Sequence, residues 1–116
     1  MKKGMVSLLV AVLLVAIPSW AAETRSAVVA PGLSFNGTIA TCVIQVEADY
    51  ESDRIEVYAE LCEGSTVVAS WNEAEMEYVD VSYRVSVTRG KTYTLRIYAT
   101  VNERDLPVAY ITRKCP

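Results

Sequence analysis

The sequence predicts an all-β domain: two antiparallel sheets packed face to face, about seven strands in all, behind an N-terminal signal peptide. Three observations lead there. Apolar and polar residues alternate with a period of two from Ile55 to Leu61, from Val79 to Val87 and from Tyr93 to Val101. Turn residues (Asn36-Gly37, Glu63-Gly64-Ser65, Arg89-Gly90-Lys91) punctuate the chain between these stretches. The length, 116 residues with 52% hydrophobic and 22% charged, allows one small domain at most.

The first 21 residues are set apart from the fold. Lys2 and Lys3 precede an apolar run from Met5 to Ile17, and Pro18-Ser19-Trp20-Ala21 offers the small residues read by a signal peptidase. The run is shorter than the ~20 residues a membrane span needs, and no cysteine follows it at once to take a lipid. Cleavage is expected after Ala21 or Ala22, leaving 22–116 as the folded, secreted part with no membrane insertion. The lysine pair before a Leu/Val run points to a bacterium.

The remaining elements follow in order. Ala27-Val28-Val29-Ala30 forms a weak first strand, broken at Pro31-Gly32 before Leu33-Ser34-Phe35. Asn36-Gly37 turns the chain. Cys42, Ile44 and Val46 then alternate with Thr41, Val43 and Gln45, giving a second strand at about 39–48. After a polar break at Asp49–Asp53, the third strand runs from Ile55 to Leu61. Thr66 to Trp71 is the fourth, while Asn72–Glu77 is acidic and ambiguous. The fifth and sixth are the two clearest alternating runs. Asn102–Pro107 is expected as a loop, and Val108–Cys115 as the last strand.

Charge and composition exclude several functions. Residues 22–116 hold nine basic and fourteen acidic side chains, a net charge of −5. Such a chain lacks the basic patch of a nucleic-acid binder and is repelled by anionic surfaces. The sequence contains no histidine, which removes the commonest general base and metal ligand and every His-assisted nucleophile.

The candidate chemistry is sparse. Asp49-Tyr50-Glu51-Ser52-Asp53 places carboxylates at alternate positions, as calcium loops do, but lacks the glycine and closing glutamate of an EF-hand. A solvated hairpin tip explains it better. Glu73, Glu75, Glu77 and Asp80 read as a charged edge that discourages strand pairing, with a capping box at Asn72 and Glu75 as the other reading. Paired carboxylates could serve glycoside hydrolysis, yet a domain this small has little surface to build a cleft, so no enzyme is expected and no cofactor. Tyr58 and Tyr98 stand at opposite parity to the apolar residues of their strands. With Arg96 they form a candidate interaction face; cross-strand packing would explain them as well.

Val85-x-Val87-x-x-Gly90-x-x-Tyr93-x-Leu95-x-Ile97-x-Ala99 resembles the penultimate-strand signature of immunoglobulin-like and fibronectin type III-like sandwiches. The resemblance implies that Tyr93 is a tyrosine corner, its hydroxyl bonding back to the preceding turn. The stretches Ser34-Phe35-x-Gly37-Thr38, Gly64-Ser65-Thr66, Ser70-Trp71 and Thr112-x-Lys114-Cys115-Pro116, with Cys42, are also similar to small secreted proteins of Gram-positive bacteria. These are structural residues and imply export and an immunoglobulin-like fold, not an activity.

Three cysteines, an odd number, leave at least one thiol unpaired. Strand direction brings Cys42, Cys62 and Cys115 to one end of the sandwich. Cys42 shares its face with Ile44, and Cys115 with Ile111, so both point inward; Cys62 is offset by one from Leu61 and points outward. The expected disulfide is Cys42–Cys115, with Cys42–Cys62 the runner-up. Cys62 is then a free, exposed thiol able to link two chains into a homodimer. The expected function is non-catalytic binding of an extracellular protein or glycan. A structural or assembly role, as a disulfide-linked dimer or surface layer, is the first alternative. A small secreted inhibitor or effector is the second.

Overall fold

The computed structural model describes residues 27–116. The signal-peptide expectation lies outside these residues. Strand makes up 73% of the described chain, in two antiparallel sheets with no helix among the described residues. The strands are β1 (Val28–Asn36), β2 (Ile39–Glu47), β3 (Arg54–Glu63), β4 (Thr66–Met76), β5 (Tyr78–Ser86), β6 (Thr92–Val101), β7 (Arg104–Asp105) and β8 (Ala109–Lys114). One sheet has the order β1-β2-β5. The other runs β4-β3-β6-β7, with β8 also paired to β6.

The period-two pattern becomes burial directly. Ala40, Cys42, Ile44 and Val46 of β2 face Ile55, Val57, Ala59 and Leu61 of β3 and Leu95, Ile97 and Ala99 of β6, all buried. Two apolar clusters fill the space between the sheets. Ile44, Ile55 and Ile97 belong to one; Leu33, Leu61, Tyr93 and Leu95 belong to the other. Trp71 packs against both clusters and stacks on Tyr83 with ring centroids 4.7 Å apart. It thereby closes the side where β4 and β5, the edges of their sheets, meet.

Three elements differ from expectation. The break at Pro31-Gly32 is absent, because β1 is continuous and pairs with β2 throughout. Its position at the sheet edge tolerates a proline without an N–H. Gly32 sits close against Val43, where an added Cβ would lie 3.1 Å from the Val43 Cβ and press on it. The acidic segment Asn72–Glu77 is neither loop nor helical turn. It extends β4 to Met76, and the chain crosses between sheets at Glu77, which adopts φ 73° and is fixed by Glu77 N–H to Asp53 O and Ala48 N–H to Glu77 O. The stretch after β6 is not one open loop. Asn102 and Glu103 form a two-residue hairpin with φ of 52° and 67°, which adds β7 and gives eight strands rather than seven.

Both central residues at positive φ mark a type I′ turn, whose second position favours glycine. Glu103 therefore carries a left-handed cost of roughly 1–2 kcal/mol. Glu103→Gly should raise Tm by about 5 °C, equivalent to ~1 kcal/mol in a domain of this size. An unchanged or lowered Tm by calorimetry would show that the turn is not limiting.

The disulfide expectation is corrected: Cys42, Cys62 and Cys115 are all free thiols, and all three are buried. Parity places Cys42 and Cys115 on the inner side as expected, within one apolar cluster. Their heights differ. The Cys115 thiol donates to Gly37 O (3.4 Å) at the β1–β2 turn. Cys42 stands three residues beyond Ile39, roughly 10 Å along the strand at ~3.4 Å per residue. A bond of about 2 Å between the sulfurs is out of reach there. Nor is Cys62 exposed. It lies on the outer face of its sheet, paired with Thr94, and belongs to neither apolar cluster. Yet it is only 2% exposed, covered where Glu60 and Arg96 flank it. A dimer linked through Cys62 would need an accessible sulfur, which this packing denies.

Burial pushes the Cys42 thiol from 9.0 to about 11. With the folded pKa raised, the folded chain keeps a proton that the unfolded chain loses first. The resulting stabilisation is complete below pH 9 and drains away as pH rises to 11. Urea unfolding should therefore show stability falling by about 2 kcal/mol across that window. Cys42→Ala should flatten the decline, and an identical slope in the variant would contradict this origin.

Candidate interaction face

Sheet β4-β3-β6-β8 presents an outer face on which the three sequence-predicted residues come together. Tyr58 of β3 is directly opposite Tyr98 of β6, one rung from the Glu60–Arg96 pair. The tyrosine rings lie 5.9 Å apart at 36°. This is the arrangement two outward-facing aromatics adopt across an antiparallel pair. Each is more than a third exposed. The Tyr58 hydroxyl donates to Glu60 Oε1 (3.0 Å), and this bond is the first cause of its raised pKa. Arg96 Nη1 lies 3.9 Å from Glu60 Oε2. Burial, then the Glu60 charge, pushes the Cys62 thiol up as well, so the one cysteine on this face is covered and protonated at neutral pH.

Sequence reasoning missed two parts of the face. Tyr110, opposite Arg96 on β8, is 67% exposed. Its parity against Ala109 and Ile111 was the available signal. The wall formed by Asp105, Leu106 and Val108 was not readable, because it depends on the β7 hairpin lifting the chain beside β6. Together with Glu56, Tyr58 and Tyr98 these residues line a shallow groove of about 640 Å³. That volume is within the range of small-ligand sites.

The other candidates have structural roles. Asp53 is 2% exposed. Its Oδ2 accepts from Tyr50 N–H (3.1 Å) and its Oδ1 from Asn102 Nδ2 (2.9 Å). Asn102 Oδ1 in turn accepts from Arg54 N–H (2.9 Å). The acidic loop therefore uses Asp53 to tie the β2–β3 connection to the β6–β7 turn, which corrects its reading as a wholly solvated tip. Among the described residues, no three His, Cys, Asp or Glu side chains gather in a way that could hold a metal ion. Glu73 and Glu75 pair with Val57 and Ile55, so these edge-strand carboxylates point toward the inner side. Glu73 accepts a hydrogen bond from the Tyr83 hydroxyl. Inward-facing charge on an edge strand disfavours pairing with another chain. Tyr93 is buried, and its hydroxyl accepts from Thr88 N–H (2.8 Å). No protein-family model and no curated protein sequence matches this chain.

Proposed function

We propose that this chain is an exported, immunoglobulin-like module that binds an extracellular protein or glycan through the outer face of its larger sheet and catalyses no reaction. The observation that carries this is the Tyr58–Tyr98 pair, half-exposed beside a groove of about 640 Å³. Aromatic rings with a polar rim are what recognition surfaces use. The strand order supports the immunoglobulin-like reading, since the first, second and fifth strands share a sheet and the third and sixth share the other. The fourth strand departs from the constant-type arrangement by pairing with the third. The bond from Thr88 N–H to the Tyr93 hydroxyl supports a tyrosine corner. A non-catalytic role fits a sequence without histidine and thiols that burial keeps protonated. Export rests on the apolar segment behind Lys2 and Lys3.

The test is binding to cell-wall fractions, a glycan array and extracellular surface proteins. The double variant Tyr58→Ser/Tyr98→Ser should lose binding at least tenfold. Tyr78→Ser, which removes an exposed tyrosine from the opposite sheet, should leave it unchanged. Equal binding by all three proteins would move the site elsewhere.

A further inference from the structure

Resting on the same face, we propose that the groove beside Tyr58 and Tyr98 takes a cationic segment of a partner protein, with a Lys or Arg side chain laid over the two rings. The charged residues that line the groove are Glu56, Glu73 and Asp105. Glu73 turns its carboxylate inward to Tyr83, so Glu56 and Asp105 present theirs to the groove, and no lysine or arginine lines it among the described residues. Arg54 offsets one of them, through a 3.0 Å contact with Glu56. Tyrosine rings present negative faces, so a cation over them gains from ring and carboxylate together.

On the side away from Arg96, which pairs with Glu60, the surrounding charge has the same sign. The groove lies along the first half of β3 and the last half of β6, next to the end of the sandwich where the β2–β3 loop, the Glu77 bend and the β6–β7 turn are bonded to one another. That end carries Asp49, Glu51, Glu75, Glu77 and Glu103 against Arg54 and Arg104. An anionic ligand would meet repulsion on approach, and a neutral sugar would leave the carboxylates unmatched, whereas a cationic peptide is drawn in. Basic side chains differ in the opposite sense: Arg89, Lys91, Arg113 and Lys114 sit at the far end, around Cys115 and the Gly90 turn. In the groove, aromatic surface and negative charge coincide.

The probes are a lysine decapeptide and a neutral N-acetylglucosamine tetrasaccharide, titrated into the full chain and followed by calorimetry at low and 0.5 M salt. The decapeptide should bind, weaken with salt, and weaken about fivefold in Glu56→Gln/Asp105→Asn. The matched charge change on the other sheet, Glu47→Gln/Asp80→Asn, should leave its affinity unchanged. Unaltered far-ultraviolet dichroism confirms that both variants fold. Equal weakening by the two variants would overturn the site, since only the net charge would then matter. Tyrosine-dependent binding of the tetrasaccharide without the decapeptide would overturn the cationic partner while keeping the binding face. Binding of neither probe would overturn the cationic partner, and the Tyr58→Ser/Tyr98→Ser comparison would then judge the face by itself.

Discussion

Tyr93→Ala should lower unfolding stability by about 3–5 kcal/mol, the cost of deleting a large buried aromatic. Tyr93 is 2% exposed, packs in the cluster with Leu61 and Leu95, and lies 6.0 Å from the Phe35 ring. Its hydroxyl also receives Thr88 N–H at the turn into β6. Tyr93→Phe separates the two contributions. It keeps the ring and removes one net hydrogen bond, so it should cost on the order of 1 kcal/mol. A domain of about 90 residues has a margin of only ~5–13 kcal/mol, so the alanine variant will unfold at a clearly lower urea midpoint. Equal midpoints for the phenylalanine variant and the parent would show that the hydroxyl bond contributes nothing to the turn.

Asp53→Ala is expected to cost roughly 3 kcal/mol, although the position lies on a loop. Two donors, Tyr50 N–H and Asn102 Nδ2, point at its carboxylate, and bonds to a charged acceptor are worth about 1.5–3 kcal/mol each. The loss should spread beyond the loop, because Asn102 also holds Arg54 and Asp53 O also receives Glu77 N–H. Hydrogen exchange should therefore rise together at Tyr50, Glu77 and Asn102. Faster exchange at Tyr50 alone would mean that the three turns do not act as one unit.

The regular parts of the fold were legible because burial follows parity. Ile55 to Leu61 and Tyr93 to Ala99 enter the core residue for residue as their alternation implies, and Tyr58, Tyr98 and Arg96 reach one outer face for the same reason. The failures share a different cause. Pro31-Gly32 reads as a break locally, but an edge strand has no partner on one side to miss the proline N–H, and Gly32 lets the strand pass close to Val43. Glu77 and Glu103 sit at positive φ without glycine, so neither the bend after β4 nor the β7 hairpin carried the usual turn signal. The cysteines show the limit of parity itself: it reports which side a residue faces, not how far along the strand it lies or what covers it. Hence Cys42 and Cys115 face inward at different heights. Cys62 faces outward, yet its neighbours on the sheet cover it.

The groove depended on long-range placement in the same way. Its tyrosines were visible in the alternation, whereas Asp105 and Leu106 became part of it only through the β6–β7 turn. That turn is held by Asn102 against the start of β3, 48 residues earlier in the chain. Nothing local in the sequence marks such a contact.

The most direct measurement is amide chemical-shift mapping of the protein titrated with the extracellular fraction or probe that binds it. Binding through the larger sheet predicts perturbations clustered at Glu56, Tyr58, Tyr98, Thr100 and Asp105, with the outer face of the β1-β2-β5 sheet silent at Gln45, Glu47 and Tyr78. Perturbations centred on Gln45, Glu47 and Tyr78, with Tyr58 and Tyr98 unmoved, would contradict it.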